Sequence, residues 1–175
     1  SMYISWRALA EQFDPRGSPP ETYLLCELWW GNSERFWIHW VRNDNRRNRH
    51  AEVCFLEEIF ELRSLRSCHI TWYLSWSPCA NCCDTIRDFR MRHRNVNIDI
   101  HVARLHFADR EETRRGLRDL ASLQGVNHLA SISPDYSYCW ETFLQQGVNF
   151  WPVDFQPAIT WNNSRLNDIL EVSTL

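Results

Sequence analysis

Hydrophobic positions along the chain switch between helical spacing and strand-like runs, and the switches fall at polar or glycine-bearing segments. Residues 2–13 place Tyr3, Trp6, Leu9, Ala10 and Phe13 on one side of a predicted helix. A loop rich in Pro, Gly and Ser follows over 14–20. Residues 23–30 read as a strand, Gly31-Asn32 turns the chain, and 35–41 return as a second strand of a hairpin. Residues 42–49 hold four arginines and three asparagines and read as a loop. A helix is predicted over 50–62, with Val53, Leu56 and Phe60 at i, i+3 and i+7. A strand over 69–75 precedes a helix starting at Pro78 and running to about 93, since proline is tolerated in a first helical turn. Strands at 97–105 and 127–132 alternate with helices at 111–123, 134–145 and 161–171. After the hairpin, this alternation predicts an α/β sandwich, a five-stranded mixed sheet surrounded by about six helices.

The 175 residues suit a single domain over 1–175 with a sizeable core, and Ser1-Met2 reads as a remnant of recombinant expression. The sequence has no run apolar enough to span a membrane and no recognisable signal peptide, so no membrane partner is expected. The net charge is -3, which excludes a generally basic nucleic-acid binder. All 19 cationic residues are arginine, a side chain that chelates phosphate and stacks on bases. A lineage bias explains the absent lysines equally well. Seven cysteines, three of them at Cys79, Cys82 and Cys83, fit a metal site in a reducing compartment better than a disulfide framework. The expected location is the cytoplasm or nucleus.

The candidate chemistry lies in His50-Ala51-Glu52, then twenty-five residues, then Pro78-Cys79-Ala80-Asn81-Cys82. This is the H-x-E…P-C-x-x-C pattern of zinc deaminases. Cys79 and Cys82 share a face at a helix start, where the helix dipole favours thiolates. With His50 they supply three zinc ligands and leave one position for water. Glu52 is expected to carry protons without ligating the metal. The competing reading is a structural zinc with Cys83 as a fourth ligand, although adjacent cysteines serve one ion poorly and such a site has no use for Glu52. Cys83 is expected behind the site, and Cys26, Cys54, Cys68 and Cys139 in the core.

Ser75-Trp76-Ser77-Pro78-Cys79 resembles the zinc-site signature of the AID/APOBEC polynucleotide cytosine deaminases. Ala103-Arg104-Leu105, Gly116-Leu117-Arg118 and Tyr138-Cys139-Trp140 with Phe143 extend the resemblance over about residues 13–170. Phe13-Asp14-Pro15-Arg16, Glu21-Thr22, Leu24-Leu25 and Trp30-Gly31 look like the apolipoprotein-B messenger-RNA-editing branch, whose long apolar tail has no counterpart after Leu170. The resemblance implies a cytidine-deaminase-like three-layer fold, one zinc ion and C-to-U conversion in single-stranded DNA or RNA. It implies that Trp76 walls the base pocket, that Ser77 and Ala51 contact the base, and that Asn43 contacts the sugar. Arg104, His106 and Phe107 fall in the segment that reads the neighbouring base, where His106 replaces the usual tyrosine or phenylalanine and can stack and titrate. Trp72 and Trp140 are expected in the core. Arg42, Arg46, Arg47, Arg49, Arg104 and Arg110 are candidate phosphate contacts, weighed against a solvated loop for Arg46 and Arg47. Arg114, Arg115 and Arg118 read as helix-surface charge. Homo-oligomers or RNA-mediated assemblies are expected partners, built on tryptophans such as Trp29, Trp37 or Trp151. Two other readings stand beside this one, a deaminase of free nucleosides or tRNA and a non-catalytic zinc domain that binds RNA or a protein partner.

Overall fold

The computed structural model describes residues 2–31, 36–60, 67–132, 136–145, 147 and 155–171. Asn32 and Arg35 of the hairpin, Leu62, Pro134 and Trp151 lie outside the described residues. The described elements are helix α1 (Trp6–Gln12), strands β1 (Tyr23–Trp30) and β2 (Phe36–Arg42), helix α2 (Ala51–Cys54), strand β3 (Cys68–Leu74), helix α3 (Ala80–Arg92), strand β4 (Val96–Val102), helix α4 (Glu111–Ala121), strand β5 (Val126–Ser131), and helices α5 (Ser137–Phe143) and α6 (Gln156–Leu170). They form the predicted α/β sandwich around one five-stranded sheet of order β2-β1-β3-β4-β5. β1 runs antiparallel to both β2 and β3, whereas β3, β4 and β5 are mutually parallel.

Alternation along the strands explains the three layers. Leu24, Cys26 and Leu28 of β1, Ile70, Trp72 and Leu74 of β3, and Ile98, Ile100 and Val102 of β4 face one core. That core also takes Phe55, Leu56, Cys83, Ile86, Phe89, Leu117, Leu120, Leu166 and Ile169 from the helices. The opposite face packs Tyr23 and Leu25 against Leu9, Phe13, Trp140, Phe143 and Ile159. Trp72 is fully buried and Trp140 nearly so, as expected of core tryptophans.

Several boundaries differ from the sequence expectation. α1 begins at Trp6 and leaves Trp6 and Tyr3 exposed, because Ile4 and Leu9 are the residues that enter the core. α2 keeps α-helical bonding for only four residues, then widens into a π-turn over Phe55–Ile59 that ends at an extended Phe60. Phe55 is fully buried while Val53 and Phe60 are half-buried. Pro78 does not open α3, because Cys79 is the N-cap and Pro78 precedes it. α6 starts at Gln156 rather than 161, with Pro157 in its first turn.

α3 and α4 approach closely because of Gly116, where an added Cβ would lie 3.3 Å from the Cys83 Cβ and 3.4 Å from the Ala80 Cα. Gly116→Val is expected to lower unfolding free energy by about 1–3 kcal/mol through overpacking. A urea melt reads the change; an undiminished midpoint would mean that the two helices separate at no cost.

Candidate active site

Three chain segments bring the predicted metal-binding residues together. His50 is the extended N-cap of α2, so its side chain leaves the helix rather than lying along it. β3 ends at Leu74, and Ser75 to Pro78 carry the chain to Cys79, the N-cap of α3. Cys82 follows in the first turn of α3. The Nδ1 atom of His50 lies 3.2 Å from the Cys82 Sγ and 3.5 Å from the Cys79 Sγ. All three potential ligand atoms fall within 4.8 Å of one another. Among the described residues this is the one group of histidine, cysteine and carboxylate side chains arranged to hold a metal ion.

Proton distribution is uneven within the cluster. Cys79 is drawn down to about 5, chiefly because the Cys82 thiol donates to it, with the Cys82 backbone N–H helping against partial burial. Cys82 is pushed far up because it is that donor, and burial adds to the shift. Glu52 is buried, and its carboxyl is pushed above the ordinary carboxylate range chiefly by burial. Its Oε2 lies 3.6 Å from the Cys82 Sγ. Cys83 is buried beside the Pro78 carbonyl, behind the cluster, with its thiol held in the neutral form by burial. Cys26, Cys54, Cys68 and Cys139 are buried free thiols.

A cavity of about 240 Å³ opens onto His50, Glu52 and Cys79. Asn43, Trp76, Ser77 and His106 line it, so the fold gathers these four predicted residues. Trp76 Nε1 donates to the Pro19 carbonyl at 3.1 Å and meets the His106 ring edge-on, with centroids 5.8 Å apart. The His106 backbone N–H donates to the Ser77 Oγ at 2.8 Å. The Asn43 side chain accepts from the Thr22 N–H at 3.0 Å and donates to Asn45. Pro20, Thr22, Asn45 and Asn48 also line the cavity and were not anticipated. Asn48 has φ 53°, a left-handed turn that asparagine tolerates.

Other expected residues are placed elsewhere. Ala51 is fully buried and Phe107 is exposed, and neither lines the cavity. Phe107 has φ 46° and packs under Arg110, whose guanidinium carbon is 3.8 Å from the ring centroid. Arg104, expected at the substrate, does not line the cavity either. Its side chain is buried and donates to the carbonyls of Gln12, Asp14 and Ser75. Its guanidinium also lies 4.6 Å from the Trp76 ring centroid. Arg104 thus ties the end of α1 to the aromatic wall of the cavity. Among the loop arginines, Arg49 reaches the cavity rim but pairs with Glu57 and Glu58, and Arg47 pairs with Glu58 at 2.6 Å.

An α/β sandwich with a His-Cys-Cys cluster and a buried glutamate at the ends of β3, α2 and α3 defines a deaminase-type scaffold. The sequence pattern of the APOBEC4-like AID/APOBEC deaminases matches residues 12–146, and the chain belongs to the AID/APOBEC family. It is 40% identical over 146 residues to the C->U-editing enzyme APOBEC-1 of Mus musculus, covering 80% of this chain and 62% of that protein. Identity to the Homo sapiens APOBEC-1 is 39% over 145 residues, covering 81% of this chain and 58% of the relative. The DNA dC->dU-editing enzyme APOBEC-3 of Mus musculus is 35% identical over 108 residues, covering 59% of this chain and 24% of that enzyme. The chain therefore spans about three-fifths of the length of these APOBEC-1 relatives.

Two outcomes follow from the geometry. Arg104→Met removes the donors to three backbone carbonyls, at about 1–3 kcal/mol for each group left buried and unsatisfied. A melting curve should show the loss, whereas an unchanged midpoint would mean that water replaces the guanidinium. Burial also lowers the His106 pKa below its ordinary 6.5. The folded protein therefore loses stability as pH falls below 6.5, where the unfolded ring protonates before the folded one. An NMR titration should place the His106 midpoint below 6.5; a midpoint above it would contradict the burial.

Proposed function

We propose that this chain is a zinc-dependent hydrolase that converts cytosine to uracil in single-stranded DNA or RNA. The observation that carries the reading is the convergence of His50, Cys79 and Cys82 beside the buried Glu52, where His50, Glu52 and Cys79 line one cavity. One nitrogen and two sulfurs suit zinc, and ligand bonds of 2.0–2.3 Å in a tetrahedron put neighbouring donors about 3.5–3.8 Å apart. The observed 3.2 and 3.5 Å nitrogen–sulfur separations need only a slight opening to accommodate it. His50 Nδ1 and the two sulfurs would hold the ion, with the ready loss of the Cys79 proton favouring uptake. A zinc ion there supplies the Lewis acidity that lowers the pKa of water to near 7.

The chain's own residues account for the proton movements. Glu52, held out of solvent, takes a proton from the attacking water and delivers it to N3 of cytosine. A C4–O bond forms at this step. Glu52 then carries the second proton to the exocyclic amine, the C4–N bond breaks, and ammonia leaves with uracil as the other product. Trp76 offers a flat wall for the base and the Ser77 segment offers backbone groups to its edge, while Asn43 faces the sugar. His106 replaces an aromatic side chain at the wall and sets the neighbouring-base preference by stacking. The APOBEC-1 and APOBEC-3 relatives bear the names of C->U- and dC->dU-editing enzymes, which supports cytosine in a polynucleotide over a free nucleoside. With Arg47 and Arg49 engaged by acidic partners, few cations remain for phosphate, so affinity should fall only gently with salt. The seven free cysteines support a reducing location, the cytoplasm or nucleus.

Glu52→Gln should retain stoichiometric zinc by metal analysis and lose at least about a hundredfold in deamination of a C-containing oligonucleotide. Cys79→Ser should lose both zinc and activity. Equal activity of wild type and Glu52→Gln, or a preference for free cytidine over the oligonucleotide, would overturn the proposal.

A further inference from the structure

Asn43, Asn45 and Asn48 line the cavity, and all three belong to the segment between β2 and α2. Asp44 and Arg49 pair across this segment through two backbone hydrogen bonds of 2.8 and 2.9 Å. Residues 45–48 form the turn between them, and all four are exposed. Asp44 Oδ1 accepts from the N–H groups of Arg46 and Arg47 at 3.0 and 3.3 Å, which shapes the turn from within. On the sheet side, the Asn43 side chain accepts from the Thr22 N–H and donates to Asn45.

Among the described residues, packing does little to hold this segment. A second cavity of about 620 Å³ is also lined by Asn43 and Asn45, together with Glu58. The segment is therefore a partition with open space on both faces. Ion pairs anchor it instead. Arg47 and Arg49 both donate to one oxygen of Glu58, at 2.6 and 2.7 Å. Arg49 also pairs with Glu57, and Arg47 with Asp44 at 3.4 Å. A ring thus closes through Asp44, Arg47, Glu58 and Arg49. It ties both ends of the turn to the π-turn that follows α2.

We propose that Glu58 is a positioning residue for the polynucleotide, holding Asn45, and through it Asn43, at the cavity wall by way of Arg47 and Arg49. This role rests on the deamination proposed above, in which Asn43 faces the sugar of the target nucleotide. The ion pairs are partly exposed, so they add little to the stability of the fold. Their effect is that substrate meets a turn already ordered. The sugar is held alike in the ground and transition states, so a loosened turn weakens KM and leaves kcat in place. The sign of the effect separates positioning from charge. Glu58 is an acid and the polynucleotide a polyanion. A carboxylate that merely repelled substrate, or masked two phosphate-binding arginines, would on removal strengthen binding. Positioning predicts the reverse.

Fluorescence anisotropy of a labelled single-stranded oligonucleotide with one cytosine tests this, beside steady-state deamination of the same strand. Glu58→Ala should raise Kd and KM by about three- to tenfold, the effect of having to order one or two side chains on binding. The kcat, zinc content and melting temperature should stay at wild-type values. Glu58→Gln has the same charge as Glu58→Ala but keeps an oxygen where the two guanidiniums meet, so it should recover much of the loss. In an Asn45→Ala chain, which lacks the link to Asn43, Glu58→Ala should change Kd by less than about twofold. Unchanged or tighter binding by Glu58→Ala overturns the proposal. So does equal weakening by Glu58→Ala and Glu58→Gln, or full additivity with Asn45→Ala. Binding needs no turnover, so a wild type that binds the strand without deaminating it would sink the deaminase reading, while the order of the Kd values still decides the role of Glu58.

Discussion

Phe55 meets Trp72 edge to face with ring centroids 5.5 Å apart, and both rings are fully buried. That contact sets how α2 crosses the central strand β3, and the metal cluster depends on the crossing. His50 stands five residues before Phe55, while Cys79 stands seven after Trp72. Both therefore emerge at the same end of the sheet. Phe55 keeps the helical N–H bond to the Ala51 carbonyl, and the wider π-turn follows from there. Gly116 lets α4 press α3 from behind, and the Cys83 side chain fills the space between them.

Electrostatics at this end of the molecule is built from burial rather than net charge. The chain is acidic overall, and several loop arginines are occupied by acidic neighbours. Burial raises the Glu52 pKa above the ordinary carboxylate range, and Cys79 is drawn towards thiolate by donors from Cys82. A buried acid beside a ready thiolate is an arrangement suited to moving protons next to a cation. Arg104 uses its charge inward. It binds three carbonyls and the face of Trp76, so the wall of the cavity and the end of α1 form one unit.

The strands were legible because their alternation is regular. β3 and β4 are each buried at every second residue, and the pattern survives in the sequence as Ile70, Trp72, Leu74 and Ile98, Ile100, Val102. Helix ends were less legible. Pro78 looked like a first-turn proline, but the N-cap position went to Cys79. Pro157 carried the start signal of α6 and was passed over. The π-turn at the end of α2 was not anticipated from the apolar spacing. Within the cavity, Asn45 and Asn48 resembled ordinary loop residues, although the left-handed turn at Asn48 is one asparagine favours.

The sequence by itself determined the strand order of burial, the α/β alternation and the identity of the cluster His50, Glu52, Cys79 and Cys82. Those features rest on local periodicity and on ligand chemistry that tolerates few substitutes. Only the tertiary structure decided which arginines face the cavity and which brace it, because a guanidinium is equally at home on phosphate, carboxylate, carbonyl or indole. Arg104 was assigned by its neighbours Gln12, Asp14, Ser75 and Trp76, all of them remote in the chain, and no pattern around residue 104 records them.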